Sequence, residues 1–249
     1  MRIEAVATGR DVWHGVTRSP GVSVVPAVAG GYSNNAFSVS VGAAYQYDRH
    51  SSGDQGPFHG LAARNFWVQA TAADGEARFL AGFQRHVLAD QQVREAVGPL
   101  ANATELYAGL SAPNSHFDPQ VEVWYNAAAA HGFYLRLAGN MPLLAWPVRP
   151  LIVGSFDAEI GVNLSQDLLG ASRRAIVGSH DRGVTHGAVG LTLSMNDSPE
   201  QLNVAAGIKT QLNLSDAARY SDATHTRGML LWVWIGVSYA VNLAGGRQP

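Results

Sequence analysis

Hydrophobic and polar positions alternate with a period of two along most of this chain. Between Ala36 and Tyr47 one series reads Phe37, Val39, Val41, Ala43, Tyr45 and Tyr47, and the interleaved one reads Ser38, Ser40, Gly42, Ala44 and Gln46. Successive side chains of a strand point to opposite faces, so such a segment carries one apolar side and one small, polar side. The contrast recurs at Phe156, Ala158, Ile160, Val162 and Leu164 against Asp157, Glu159, Gly161 and Asn163, and at Leu202, Val204, Ala206 and Ile208 against Asn203, Ala205, Gly207 and Lys209. Near the C-terminus Leu231, Val233, Ile235, Val237 and Tyr239 oppose a mixed row of Trp232, Trp234, Gly236 and Ser238. The pattern predicts an all-β chain of about twelve strands, near 2–15, 21–30, 36–47, 61–72, 77–86, 102–111, 120–126, 133–140, 148–165, 183–195, 201–212 and 228–243. No helix of consequence is expected; Ala89–Val97 and Gln166–Val177 each have room for a turn or two inside a longer loop.

The connections divide by parity. Those after even-numbered strands are short: 31–35, 73–76 with an Asp74-Gly75 turn, 112–119, 141–147 and 196–200. Those after odd-numbered strands include the long segments 48–60, 87–100, 166–182 and 213–227, with shorter ones near 16–20 and 127–132. Short turns at one end and long loops at the other are the habit of transmembrane barrels, and a soluble sandwich has no reason to sort its loops this way. The polar rows point the same way. They hold Gly, Ala, Ser and Asn with isolated charges, where a strand facing bulk water carries many Lys, Glu and Thr; small residues suit the crowded inside of a narrow closed sheet. Closure is obligatory in lipid, because no water is present to satisfy open N–H and C=O groups. Tyr45, Tyr47, Phe66, Phe79, Phe133, Phe156 and Tyr239, near strand ends on the apolar face, are expected to form interfacial girdles. The expectation is a single barrel domain over residues 1–249, an up-and-down antiparallel transmembrane β-barrel of about twelve strands (10–14). A soluble all-β binding protein is the reading outside the membrane.

Composition narrows the classes further. Only 14% of the 249 residues are charged, against about 25% in ordinary soluble domains. No apolar run approaches the ~18 residues of a membrane helix, which excludes a polytopic helical protein. With 17 basic and 19 acidic residues and no basic stripe, nucleic acid is not an expected partner. The absence of Cys excludes disulfides and thiol chemistry. Met1 is followed directly by Arg2, Ile3, Glu4 and Ala5, without the apolar core of a leader; the expectation is a bacterial outer-membrane protein whose leader is not part of this sequence.

Val12-Trp13-His14-Gly15, Glu105-Leu106-Tyr107-Ala108-Gly109-Leu110-Ser111 and Gly132-Phe133-Tyr134-Leu135-Arg136-Leu137 resemble uncharacterised Gram-negative outer-membrane barrels of about this size. In that group the first strand commonly closes on a Val-Trp-Arg-Gly-like run, and His14 here stands where Arg is usual. Such barrels also tend to end on an aromatic residue, whereas Tyr239 is followed by a tail running to Gly245-Gly246-Arg247-Gln248-Pro249. The resemblance implies outer-membrane lipid as surroundings and a porin-like passage for small polar solutes.

Parity assigns Glu4, Arg10, Arg78, Glu105, Glu122, Arg136, Asp157, Glu159 and Lys209 to the lumen, five acids and four bases. Such a balanced set lines a channel or forms an interior salt-bridge network, and charge inside a narrow lumen is costly unless paired. Asp157 and Glu159, two apart on one face, are expected each to meet an Arg from a neighbouring strand; acid–base work or a divalent cation is the alternative. Trp124, Trp232 and Trp234 fall on the inward face as stacking or plug candidates, unless a bulge exchanges the faces. With both sides of 229–235 apolar, residues 229–239 are a candidate docking strand for a protein partner. His180, Asp181 and His186 offer metal-ligand chemistry without a recognised spacing, His50 and His59 bracket a loop, and no metal or other cofactor is expected. Ser115-His116 and Ser179-His180 are sequence neighbours that a strand points to opposite faces, so no catalytic residues are assigned and the chain is not expected to be an enzyme. Two functions fit: a narrow passive channel, or a non-conducting barrel that binds a partner.

Overall fold

The computed structural model describes residues 1–13, 16–19, 22–34, 36–48, 60–88, 102–113, 115–128, 130–147, 150–168, 182–197, 202–215, 218–219 and 228–241. The strands, in chain order, are β1 (Arg2–Thr8), β2 (Asp11–Trp13), β3 (Val16–Ser19), β4 (Ser23–Ser33), β5 (Phe37–Asp48), β6 (Gly60–Asp74), β7 (Ala77–Leu88), β8 (Asn102–Ser111), β9 (Gln120–Asn126), β10 (Gly132–Trp146), β11 (Leu151–Asn163), β12 (Gly183–Asp197), β13 (Leu202–Asn213) and β14 (Met229–Ala240). Twelve of them form one closed antiparallel barrel in which each strand pairs with its neighbours in sequence and β1 closes on β14; β2 and β3 form a separate hairpin. No helix among the described residues is long and apolar enough to cross a membrane.

The period-two rows become the two faces of the wall. Outward side chains such as Val41 (56% exposed), Leu191 (52%) and Val233 (62%) have no protein neighbour to cover them. In a water-soluble sandwich these rows would be the buried ones, so their exposure all round a closed sheet identifies a wall that meets hydrocarbon. Tyr32, Phe37, Phe79, Phe117, Trp146 and Tyr239 are exposed near the short-turn rim, and Tyr45 and Phe133 near the opposite one.

Two local features depart from the sequence-based expectation. The first strand does not run to residue 15. The Thr8 hydroxyl donates to the Arg10 carbonyl at 2.8 Å and accepts from the Arg10 amide at 3.3 Å, a local turn that takes the chain out of the wall and into the β2–β3 hairpin. Residues 141–146 are strand, not turn. β10 passes through Pro142 by a register shift against β11 between Pro142 and Leu144, which absorbs the missing donor of proline as a bulge. Gln166–Leu168, which opens the β11–β12 connection, is irregular rather than helical, and Ala89–Val97 and most of 166–177 lie outside the described residues. The Asp74-Gly75 turn forms as expected, with Gly75 at φ +59°, a conformation costly for a side chain.

Twelve strands lie between the eight whose interior side chains can fill and the sixteen or more that leave a wide aqueous channel. Interior fit is therefore decided by residue size. Trp67 covers Gly42, Tyr107 covers Gly82, Trp234 covers Gly207, and Tyr134 with His186 covers Gly161. In each case a Cβ on the glycine would fall 2.6 Å or less from the ring or its hydroxyl, so the large side chain has room only because its cross-strand neighbour has none.

Candidate functional site: the barrel interior

The interior divides into two regions along its axis. Toward the long-loop end every barrel strand except β1 contributes a buried inward residue: Ser23, Gln46, Ala63, His86, Glu105, Asn126, Tyr134, Asn163, His186, Asn213 and Leu230 are all less than 10% exposed. Most are polar and hydrogen-bonded within the layer; the Gln46 amide donates to Ser23 Oγ, and the Asn163 amide to the Gln166 carbonyl. Below this layer the interior opens into two hollows. One, of about 450 Å³, is lined by Arg136, Asn140, Asp157, Glu159, Thr192, Lys209 and Trp234; the other, of about 390 Å³, by Ser38, Gln69, Thr71, Arg78 and Ser111. Asp118 and Gln120 border both.

Between the two regions runs a charged belt. Arg136 on β10 donates to Glu122 on β9 at 3.2 Å and to Glu159 on β11 at 3.1 Å. Glu159 also accepts from Lys209 on β13 at 3.2 Å and contacts His186 Nε2 on β12 at 3.0 Å. Glu122 further accepts from Gln120 and from the Trp124 indole, and His186 Nδ1 lies 3.0 Å from Thr185 Oγ1 and 3.3 Å from the Tyr134 hydroxyl. Five consecutive strands are thus stitched through one interior network. The Glu159 carboxylate holds the most contacts because it stands between three strands that each bring a donor to its level. A carboxylate offers about four lone-pair sites, enough for three such partners.

The sequence-predicted residues fall in several places. Glu122, Arg136, Glu159 and Lys209 meet in the belt. Glu105 is buried in the upper layer, with the Asn126 amide 3.5 Å away. Glu4 pairs with Arg2 at 3.1 Å near the short-turn rim, and Arg78 lines the second hollow. Arg10 lies past the end of β1, in the turn that leaves the wall. Asp157 and Glu159 do not both meet an arginine: Glu159 does, but Asp157 is held by neutral donors, Asn140 and Thr192. The reason is register, since β10 places Asn140 and β12 places Gly190, flanked by Thr192, beside Asp157.

The three tryptophans are inward. β14 pairs with β13 and with β1 without any register shift, so no bulge exchanges its faces, and Trp232 and Trp234 belong to the lumen. Trp124 stacks on Tyr107 with ring centroids 4.2 Å apart. The double-sided apolarity of residues 229–235 is thereby half accounted for by the interior. Of the histidine set, His186 is an interior belt residue, and His50, His59, His180 and Asp181 lie outside the described residues; among those described, no group of three or more acidic or histidine ligands converges. Tyr134, Thr185, His186, Asn140, Thr192 and Gln120 are interior residues that a search for charge alone overlooks. Strand parity was the available signal for all but Thr185, which turns inward because a register shift at Gly161/Val162 adds it to the bulge.

No protein-family model matches this chain, and no curated protein matches it. Solved structures do. A structure of LpxR from Salmonella typhimurium aligns over 97% of this chain and 100% of its own, with a TM-score of 0.56 at 8% identity. The KdgM porin, in complex with disordered oligogalacturonate, aligns over 97% and 100% with a TM-score of 0.53, also at 8% identity. With its closed twelve-strand wall, its exposed apolar belt and its polar interior, the chain is by fold a bacterial outer-membrane β-barrel.

Proposed function

We propose that this protein is a restrictive outer-membrane barrel, with a polar vestibule that admits small solutes from its short-turn end and an interior closed toward its loop end. The observation that supports this reading best is the buried layer. A water-filled pore leaves its lining side chains accessible, whereas inward residues of eleven strands at one level, Ser23 through Leu230, are less than a tenth exposed. The belt below it reinforces the closure, because Arg136 and Lys209 are held against Glu159 rather than extended as a ring that would select passing ions.

The charge balance and the hollows also support a second reading, a narrow channel that conducts when the buried layer rearranges. Planar-bilayer recording separates the two. Insertion is verified by heat-modifiable migration on gels, and the closed barrel is expected to leave the bilayer silent at moderate voltage. Discrete, reproducible conductance steps from verified protein would overturn the closed reading and establish the channel.

A further inference from the structure

The larger hollow is built by an uneven choice of residue sizes. Three inward rows cross it: Trp234, Gly207, Thr192 and Ser155; Trp232, Lys209, Gly190, Asp157 and Asn140; and Gln211, Ala188, Glu159 and Ala138. Beside the hollow, β12 and β13 are reduced to Gly190, Gly207 and Ala188, with Gly207 under the Trp234 ring and the Lys209 stem against Gly190. The hollow itself keeps one aromatic wall, Trp234, and a polar wall of Asn140, Asp157, Ser155 and Thr192, with Arg136, Glu159 and Lys209 above. About 450 Å³ falls within the size of small-molecule sites.

The polar groups are mixed in kind and are not used up by their internal bonds. Arg136 has five N–H donors and Lys209 three, and the belt engages two and one of them. Asp157 accepts from Asn140 on one oxygen and Thr192 on the other, which leaves lone pairs on both. A ligand that satisfies this set must donate and accept at several adjacent points and also present an apolar C–H face to the indole. A sugar ring does both, since hydroxyls act as donor and acceptor while the ring hydrogens suit an aromatic surface. The charge of the lining selects further. Asp118, Asp157 and Glu159 outnumber Arg136 and Lys209 by one, and both cations are already paired, so an added carboxylate finds no free counter-charge.

From this geometry we infer that the hollow is a binding site for a neutral pyranose, stacked on Trp234 and hydrogen-bonded to Asp157, Asn140 and the free donors of Arg136 and Lys209, and that it discriminates against uronic acids. The inference rests on the vestibule reading for access from the short-turn end, but binding is measured without a bilayer, so the two fail separately. A conducting barrel that binds the sugar overturns only the closure; a silent one that does not bind overturns only the site.

Titration calorimetry of the full chain in a zwitterionic detergent without a sugar headgroup tests it, using methyl glucoside and glucuronate as probes. Saturable one-to-one binding of the glucoside is expected, at least tenfold tighter than glucuronate. Trp234→Ala should weaken it at least tenfold, and Ser155→Leu, which fills the hollow from the opposite wall, should abolish it. Trp146→Phe, on the lipid face, should leave it unchanged. Each variant is accepted only if its heat-modifiable migration is that of the parent; should Trp234→Ala fail this check, Ser155→Leu and the glucoside–glucuronate ratio decide. No saturable glucoside binding, glucuronate binding as tightly, or full affinity in either folded hollow variant would each overturn the assignment.

Discussion

Glu159 is the residue on which the interior network converges, with Arg136, Lys209 and His186 all within 3.2 Å. Replacing one member of a buried ionic cluster costs more than the cluster contributes, because the partners are left desolvated without a counter-charge. Glu159→Gln keeps the volume and removes the charge. Arg136 and Lys209 retain about a third of their side-chain exposure, which lets water compensate in part. The expected loss is about 2–3 kcal/mol, read as a lower urea midpoint for unfolding in detergent. Asp157→Asn should have a smaller effect on the same midpoint, since its partners Asn140 and Thr192 are neutral and can rotate to pair with an amide. A Glu159→Gln midpoint equal to that of the parent would show that the belt adds nothing to stability.

Strands and turns follow a different logic, in which parity governs everything. The bulge of β10 carries one residue more than β11 across Pro142–Leu144, so Leu143 has no cross-strand partner. Deleting Leu143 restores even pairing and leaves Leu144 and Trp146 facing lipid, and the shortened chain is expected to assemble and show heat-modifiable migration. Deleting Leu137 in the regular part of the same strand moves every following inward residue to the lipid face, and assembly is expected to fail. Equal behaviour of the two deletions would contradict the observed register. This scale is also where the sequence was most informative. The bounds of β8 and β9 were legible residue for residue because Ser111 and Gln120 flank a turn segment rich in Pro, Asn and Asp, and alternation alone placed Trp232 and Trp234 on the lumen row. The early exit of β1 was not legible, because the Thr8–Arg10 turn falls where the alternation weakens only at Asp11 and Val12, and Trp13 then resumes the apolar row. Nor was the partner of any interior charge: whether Glu159 meets Arg136 and Asp157 meets Asn140 depends on how neighbouring strands slide past one another, and a slip of two residues, which keeps the faces, would set Asn140 opposite Glu159.

At the scale of the whole molecule, contact between the wall and hydrocarbon governs stability. Leu191 lies near the middle of β12 and is among the more exposed outward side chains. Leu191→Arg places a charge near the bilayer midplane, where such substitutions cost about 2–4 kcal/mol. It should lower the unfolding midpoint in lipid vesicles while leaving it nearly unchanged in short-chain detergent, and equal loss in both would indicate that this face packs against protein. Around the inside of the same wall, bulk is apportioned between neighbours: Gly42 with Trp67, Gly82 with Tyr107, Gly207 with Trp234. Volume at these places is a property of two positions jointly, so neither is free to drift by itself. Among descendants of this gene, a larger residue in place of one of these glycines should be accompanied by a trimmed ring across the seam, and the record of such paired exchanges would trace the barrel's circumference without any coordinates.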